Sequence, residues 1–494
     1  MAHSKLPLRL LSLPSLAASV MAVALTGACT APPTDDDAGD EAGDAATEDD
    51  AESETGEPLG PTWHQDIAPM VHERCVGCHR EGSIGPFALD DYPAASTWAG
   101  LALEAMESKQ MPPWGQDDAN CEPRLPFLND PRPTQEELDL FAAWVDAGTP
   151  EGDPALAAEL PELPELGLAN VDFDLPMQAP IEIEPGGDQF WCMVLDPGFT
   201  EDTYVEGFQI LPGNDLIVHH ALVYVDAFGQ TDALVDENGR YDCFGDAGVD
   251  AALIAVWAPG VPPQELPEDT ALEIPANAKL VMQIHYHPTG ATEIDPGTAL
   301  QMRQFDGVPG WVAEYGLPGN DDDADGNGLG LQPGPNDATE DPEFRIPAGE
   351  ANHTERMLIS VPPTVNGKVI NEVVVWSVGT HMHYLGVDAR MSIDRLAPEA
   401  NTGIDEECWI QTPYYNFEWQ RGYNYDGALE DMPRVRPGDL IDIECTYDNS
   451  MNNPHLVEAL AELGLSEPVD VYLGDETLDE MCLGVVGFAA PNDE

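Results

Sequence analysis

The chain of 494 residues predicts a mainly β protein of several domains, opened by a small α-helical domain. Three observations predict this. Runs rich in Val, Ile and Tyr recur after residue 160, as in Leu216–Val225, Lys279–Tyr286 and Val369–Val378, and Gly, Pro, Asn and Asp separate them. Such runs suit a pleated, half-buried surface and such punctuation makes turns, so the pattern suggests sandwiches. The 45 Gly and 46 Pro fit a turn-rich β protein. Ahead of these runs, Pro133-Thr134-Gln135-Glu136-Glu137 is a helix start with an acidic first turn. Phe141, Trp144 and Val145 follow at helical spacing, and Gly148 ends the helix. A chain this long exceeds one core and holds about three domains at roughly 150 residues each.

The charge narrows the partners. Eighteen basic against 92 acidic residues give a net charge of -74. That excludes nucleic-acid binding, which needs a basic footprint, and docking on anionic lipid through charge alone.

The N-terminus gives the compartment. Lys5 and Arg9 precede an apolar run from Leu10 to Leu25, and Thr26-Gly27-Ala28-Cys29 follows. A basic start, a short apolar stretch and small residues make residues 1–28 a secretory signal peptide. The run is too short for a membrane-spanning helix. A Cys after small residues resembles the bacterial lipoprotein cleavage box, although Leu25 sits four positions before Cys29 rather than three. The expectation is lipid attachment at Cys29, in a protein exported to the bacterial cell envelope on its periplasmic or cell-surface face. Residues 31–60 hold 12 Asp or Glu and no Lys or Arg. Such a stretch repels itself and buries nothing, so residues 29–60 read as a disordered acidic tether.

Residues 61–152 carry the first chemistry. Cys75-Val76-Gly77-Cys78-His79 is a C-x-x-C-H run. Two thiols can add to the haem vinyl groups while the adjacent imidazole reaches the iron, which is c-type haem attachment. No second C-x-x-C completes a zinc site. Met111, on the stiff turn Lys109-Gln110-Met111-Pro112-Pro113-Trp114, is the expected second axial ligand, with Met106 and Met70 as rivals. The layout resembles small bacterial cytochrome c domains, and the likeness is specific at C-x-x-C-H.

The β part carries the second. Eight histidines lie after residue 160, six of them in three pairs: His219-His220, His285-Tyr286-His287 and His381-Met382-His383. Side chains at i and i+2 share one face of a sheet, so His381 and His383 can chelate one metal from a regular strand. Adjacent His219 and His220 would point to opposite faces. For both to bind one metal, a strand end, a bulge or an unusual choice of ring nitrogen must compensate. His353 and His455 have no partner motif.

Four segments in order carry a resemblance: Val218-His219-His220-Ala221, Met282-Gln283-Ile284-His285-Tyr286, Thr380-His381-Met382-His383-Tyr384-Leu385-Gly386 and Asp479-Glu480-Met481-Cys482. Together they resemble the copper type II, ascorbate-dependent monooxygenases, such as the peptidylglycine α-hydroxylating and dopamine β-monooxygenases. The likeness covers roughly residues 165–490. It implies two jelly-roll-like sandwiches facing a solvent-filled cleft, residues 165–303 and 304–490, with one copper ion each. His219, His220 and His285 match the electron-storing copper, and His381, His383 and Met481 match the oxygen-binding copper. Imidazoles with a soft thioether favour copper on chemical grounds as well. Gln283 shares a face with His285, where the resemblance implies a supporting role; His287 reads as an outer partner, an alternative ligand or a partly exposed strand histidine.

The resemblance also implies a Cys445–Cys482 disulfide, which would fix Met481. Cys192 and Cys243 fall in one copper domain and are candidates for a bond. Cys121 and Cys408 fall in different domains, where a bond is not expected, and read as free thiols. Asp321-Asp322-Asp323-Ala324-Asp325-Gly326 starts like a calcium loop, but Gln332 stands where the bidentate Glu belongs, so a solvated acidic loop is expected instead.

The expected activity is that of an exported copper monooxygenase hydroxylating a C–H bond with O2. Electrons would come from a periplasmic or extracellular donor through the attached haem. The peptide-hydroxylating enzyme anchors a substrate carboxylate with an Arg where this chain has Gly379, and with polar residues where it has Leu483 and Val485. A small or apolar organic substrate is expected in their place. The alternatives are a haem-copper electron-transfer or copper-storage lipoprotein without hydroxylase activity, and a haem-copper oxidase or peroxidase.

Overall fold

The computed structural model describes residues 60–492, apart from 82, 84, 163–166, 321–327, 336, 338–341, 366–367 and 475–477. The signal segment, Cys29, the acidic tether and the loop at 321–326 lie outside the described residues. The described chain is mainly β, with its long helices gathered at the N-terminal end.

Helices Ala68–Arg74, Tyr92–Glu107 and Gln135–Asp146 share their own core, built on Ile67, Val71, Ala99, Met106, Phe141 and Trp144. The last of them starts where its sequence says. Glu137 N donates to Thr134 Oγ1 at 3.2 Å, and Thr134 N donates to Glu137 Oε2 at 2.7 Å. This capping box satisfies two of the helix's orphan N–H groups. Gly148, at φ +81°, turns the chain out of it.

Two five-stranded antiparallel sheets are present, and the first carries His219, His220 and His285. One runs Arg240–Asp242, Gln189–Leu195, Lys279–Tyr286, Val218–Asp226, Ala252–Trp257 in spatial order. The other runs Gly330–Leu331, His353–Ser360, Leu440–Tyr447, Gly386–Asp394, Glu406–Gln411. A ten-stranded sheet serves both halves of the β part. Its first half includes Thr203–Leu211 and Thr270–Ile274, its second Trp311–Gly316, Leu483–Pro491 and Val373–His381. The halves join where Thr270–Ile274 and Trp311–Gly316 pair in parallel, Thr270 opposite Trp311 and Leu272 opposite Ala313. The inward faces of these sheets form one apolar core, with Ile210, Leu280, Met302, Val374, Trp376 and Ile443 all fully buried.

Some bounds differ from the sequence reading. Lys279–Tyr286 is a strand as expected. The run read from Leu216 begins as a strand only at Val218, because a turn closes first, with Val218 N donating to Asn214 O at 3.1 Å. The run read from Val369 begins at Val373, because Lys368–Val369 pairs with Thr364–Val365 in a hairpin of its own. Pro454–Glu462 is a helix that the sequence reading lacked. Its nine residues are too few for a helical period to stand out, although Asn453 caps it by accepting from His455 N at 3.0 Å.

The expectation for Cys121 and Cys408 is overturned: the two form a disulfide across 287 residues. Cys192–Cys243 and Cys445–Cys482 are also bonded, which makes three disulfides in all among the described residues. The segment around Cys121 leaves the helical unit and lies on the second half of the β part. Arg124 donates from Nε and Nη2 to the Glu407 carboxylate, both at 2.9 Å, and its Nη1 lies 2.8 Å from Glu399. Phe127 stacks on Tyr425 at 5.2 Å, and Leu128 N donates to Asn424 O at 2.8 Å. The division of the sequence into domains hid this contact, because the segment follows the haem motif in the chain but packs elsewhere. Replacing Cys121 and Cys408 together by alanine releases a long loop constraint, worth about 2–4 kcal/mol. Differential scanning calorimetry should show a melting temperature at least about 3 °C lower. An unchanged value would mean that Arg124 and Phe127 hold the segment unaided.

Candidate metal centres and haem cavity

His219 and His220 lie on Val218–Asp226, beside His285 on Lys279–Tyr286. The register pairs His285 with His220 and Tyr286 with Val218, so His219 is the extra residue of a bulge. The bulge turns two adjacent side chains to the same side. His285 Nδ1 lies 2.8 Å from His220 Nε2 and 3.4 Å from His219 Nδ1. Ring nitrogens of all three histidines lie within 4.8 Å of one another. The sequence problem is therefore met twice over, by a bulge and by unlike ring nitrogens.

Outer partners hold the nitrogens that face away. His219 Nε2 lies 2.9 Å from Glu418 Oε2, and His285 Nε2 lies 2.8 Å from Asp188 Oδ2. The other Asp188 oxygen lies 2.9 Å from His287 Nδ1. His287 thus shares a carboxylate with His285 and is half exposed. Burial pushes the Asp188 carboxyl upward, but hydrogen bonds from His285 and His287 outweigh it and hold it well below the usual carboxylate range. Burial, reinforced by the charges of its histidine neighbours, pushes His220 well below the usual imidazole range. Burial also lowers His285, against the pull of Asp188. These two rings are neutral at pH 7. One proton on His285 Nδ1 cannot serve both nitrogens that face it, whereas a cation satisfies all three lone pairs. The donor set fits copper or zinc.

His381 is the last residue of Val373–His381, and His383 lies beyond the strand's end. The expected chelation from one face of a regular strand does not hold. A turn sets the geometry instead, with ring centroids 5.4 Å apart and planes at 87°. His381 Nδ1–H donates to Gln420 Oε1, whose amide is oriented by Nε2 donating to Phe417 O at 3.0 Å. His383 Nδ1–H donates to Asp479 O at 2.9 Å. Both rings keep Nε2 free for a metal. Burial, helped by the neighbouring His383, pushes His381 down to about 4. Met481 is fixed on both sides, by the Cys445–Cys482 bond and by Tyr447 Oη donating to its carbonyl at 2.8 Å. Two neutral imidazoles with a thioether fit copper.

Under this turn lies Glu480, fully buried. Its carboxylate accepts from His383 N at 2.8 Å, Leu385 N at 2.7 Å and Met481 N at 3.2 Å. Burial pushes it up to about 8 against those three donors. Sequence reasoning missed the roles of Glu480, Gln420, Glu418 and Asp188. Only Glu480 carried a signal, its place next to Met481.

In the helical unit, His79 Nδ1–H donates to Phe87 O at 3.0 Å, which leaves Nε2 free. Burial raises the Cys75 thiol to about 12 and pushes Cys78 up as well. All three residues line a cavity of about 510 Å³ walled by Leu89, Phe141 and other apolar side chains. A free imidazole nitrogen, two thiols and an apolar cavity of this size fit haem. Met111 and Met106 both line it, while Met70 packs in the helical core. Leu216, His219 and His287 close it from the β side. A second cavity, of about 490 Å³, is lined by His220, His381, His383 and Met481. The three-histidine cluster therefore stands between the two cavities, His219 facing one and His220 the other.

Comparison with protein-family models finds no match, and neither does comparison with curated proteins. Among solved structures, a VP2 subviral particle of infectious bursal disease virus is similar at 9% identity, over 67% of this chain and 84% of that one, with a TM-score of 0.12. A structure of the Gx strain of the same virus is similar at 8% identity, over 67% and 84% of the two chains, with a TM-score of 0.09. Scores this low carry no argument about fold or function.

Proposed function

We propose that the chain is an exported, copper-dependent monooxygenase that takes its electrons through an attached c-type haem, as its resemblance to the copper type II monooxygenases implies. The observation that carries this reading is the shared wall. One histidine cluster borders both the cavity at Cys75, Cys78 and His79 and the cavity at His381, His383 and Met481. When bound, copper at the latter residues would supply O2 activation, and haem and the other copper would hold the electrons. The chain's own residues do the rest. Asp188, Glu418, Gln420 and the Asp479 carbonyl orient the imidazoles. Leu222, Leu253, Leu483 and Val485 give the second cavity an apolar wall on the substrate's side. Arg421 lines it too, but its guanidinium stacks on Trp114 at 4.6 Å, so a small apolar substrate remains the best fit. Lipid attachment at Cys29 would hold the enzyme in the cell envelope.

The test is metal and haem content of the mature protein, followed by oxygen-isotope labelling. Two coppers and one haem per chain are expected, with one labelled atom from O2 entering a small apolar substrate when a reductant is present. Zinc at the clusters, or product oxygen drawn only from water, would overturn the reading.

A further inference from the structure

Five consecutive residues reach every part of the site. The Phe417 ring lies edge-on to His383, centroids 6.1 Å apart. Glu418 Oε2 lies 2.9 Å from His219 Nε2. Trp419 lines the haem cavity. Gln420 Oε1 accepts from His381 Nδ1. The Arg421 guanidinium lies 4.6 Å from the Trp114 ring, in the turn that carries Met111. The segment is also closed on itself. Asn416 Oδ1 accepts from Glu418 N at 2.8 Å, and Gln420 Nε2 donates to Phe417 O at 3.0 Å. Glu418 and Gln420 are thus carried on one short turn whose backbone is held at Glu418 N and Phe417 O.

We propose that Phe417–Arg421 is a positioning strap that couples the two metal clusters. Glu418 takes Nε2 of His219 and leaves Nδ1 for the metal. Gln420 takes Nδ1 of His381 and leaves Nε2. A metal that fixes His219 in one cluster fixes Glu418, hence Gln420, hence His381 in the other. Loading of either cluster therefore prepares the other, and the coupling is reciprocal by linkage. Neither Glu418 nor Gln420 is a ligand; each acts through the histidine it orients, as outer partners of metal-bound imidazoles do. The inference rests on the reading that both clusters hold copper.

The test uses the full mature chain and reads Cu(I) affinity at each cluster by competition with a chromophoric chelator, without any assay of activity. Single-cluster affinities come from His285→Ala and His381→Ala backgrounds. In the intact protein each cluster should bind copper about fivefold or more tightly when the other is filled. Glu418→Ala, which removes the acceptor from His219, should weaken copper at His219, His220 and His285 by about 10- to 100-fold. It should also abolish the advantage at His381, His383 and Met481, none of which it touches. Gln420→Ala should do the converse, and Gln420→Glu, which keeps an acceptor on His381, should restore the coupling. If the intact chain binds no copper, the copper reading fails and the strap with it. If it binds two coppers and each substitution weakens only its own cluster, the strap alone is refuted.

Discussion

Alanine in place of Glu480 should be the most damaging single substitution in the second half of the β part. The change strips the acceptor from three buried N–H groups at once, those of His383, Leu385 and Met481. A buried donor left unpaired costs about 1–3 kcal/mol, so the sum is at least about 3 kcal/mol before any cavity term. The same three groups hold the turn that carries His383 and Met481, so copper binding there should be lost together with stability. Glu480→Gln should fall between, because one amide oxygen still accepts while the NH2 group faces a donor. A pH signature accompanies this. Glu480 titrates at about 8 in the fold against an ordinary 4.5. Between those values the folded chain keeps a proton that the unfolded chain has released. This group's contribution is therefore fully present below about 4.5 and is lost as pH rises toward about 8. Urea unfolding of the metal-free protein at several pH values should show that decline, and Glu480→Gln should remove it. A Glu480→Ala chain that melts with the parent and holds its copper would contradict the account.

His381→Ala should show the opposite balance. Its ring ends a strand, faces the second cavity and is buried in neutral form, its pKa down at about 4. Truncation enlarges an existing cavity and relieves the burial of a polar ring, so the metal-free chain should melt within about 2 °C of the parent. Function should nevertheless collapse. Losing a ligand costs more than the roughly 10- to 100-fold that losing an outer partner costs. One copper per chain should disappear, and labelled oxygen in the product should fall by at least about a hundredfold. Copper content and isotope incorporation, measured on the same preparation, check both halves. Retention of both coppers would show that His381 is not a ligand.

What the sequence could and could not reveal divides by distance along the chain. The histidine pairs, the C-x-x-C-H run and the helix start at Thr134 are legible because their parts stand within a few residues of one another. The bulge at His219 was legible only as one of three devices, with a strand end and an unusual ring nitrogen, that could bring two neighbours to one metal. The outer partners were not legible. Glu418 meets His219 across about two hundred residues, and a glutamate among 92 acidic residues carries no mark of its task. Cys408 was hidden from Cys121 in the same way, by a separation of 287 residues. His383 misled for a different reason. The spacing to His381 suits a strand face, but the strand stops at His381, and buried Glu480 supplies the backbone partner that a neighbouring strand would have given.

The parallel pairing of Thr270–Ile274 with Trp311–Gly316 has a mechanical consequence. Two modules on a flexible linker can open like jaws and admit a large ligand between them. Here backbone hydrogen bonds run without a break from one module into the other, and bending at the seam would tear them. The seam should therefore resist a change in the separation of the two histidine clusters when a ligand arrives. Ligands that need the two halves to part are disfavoured by that stiffness.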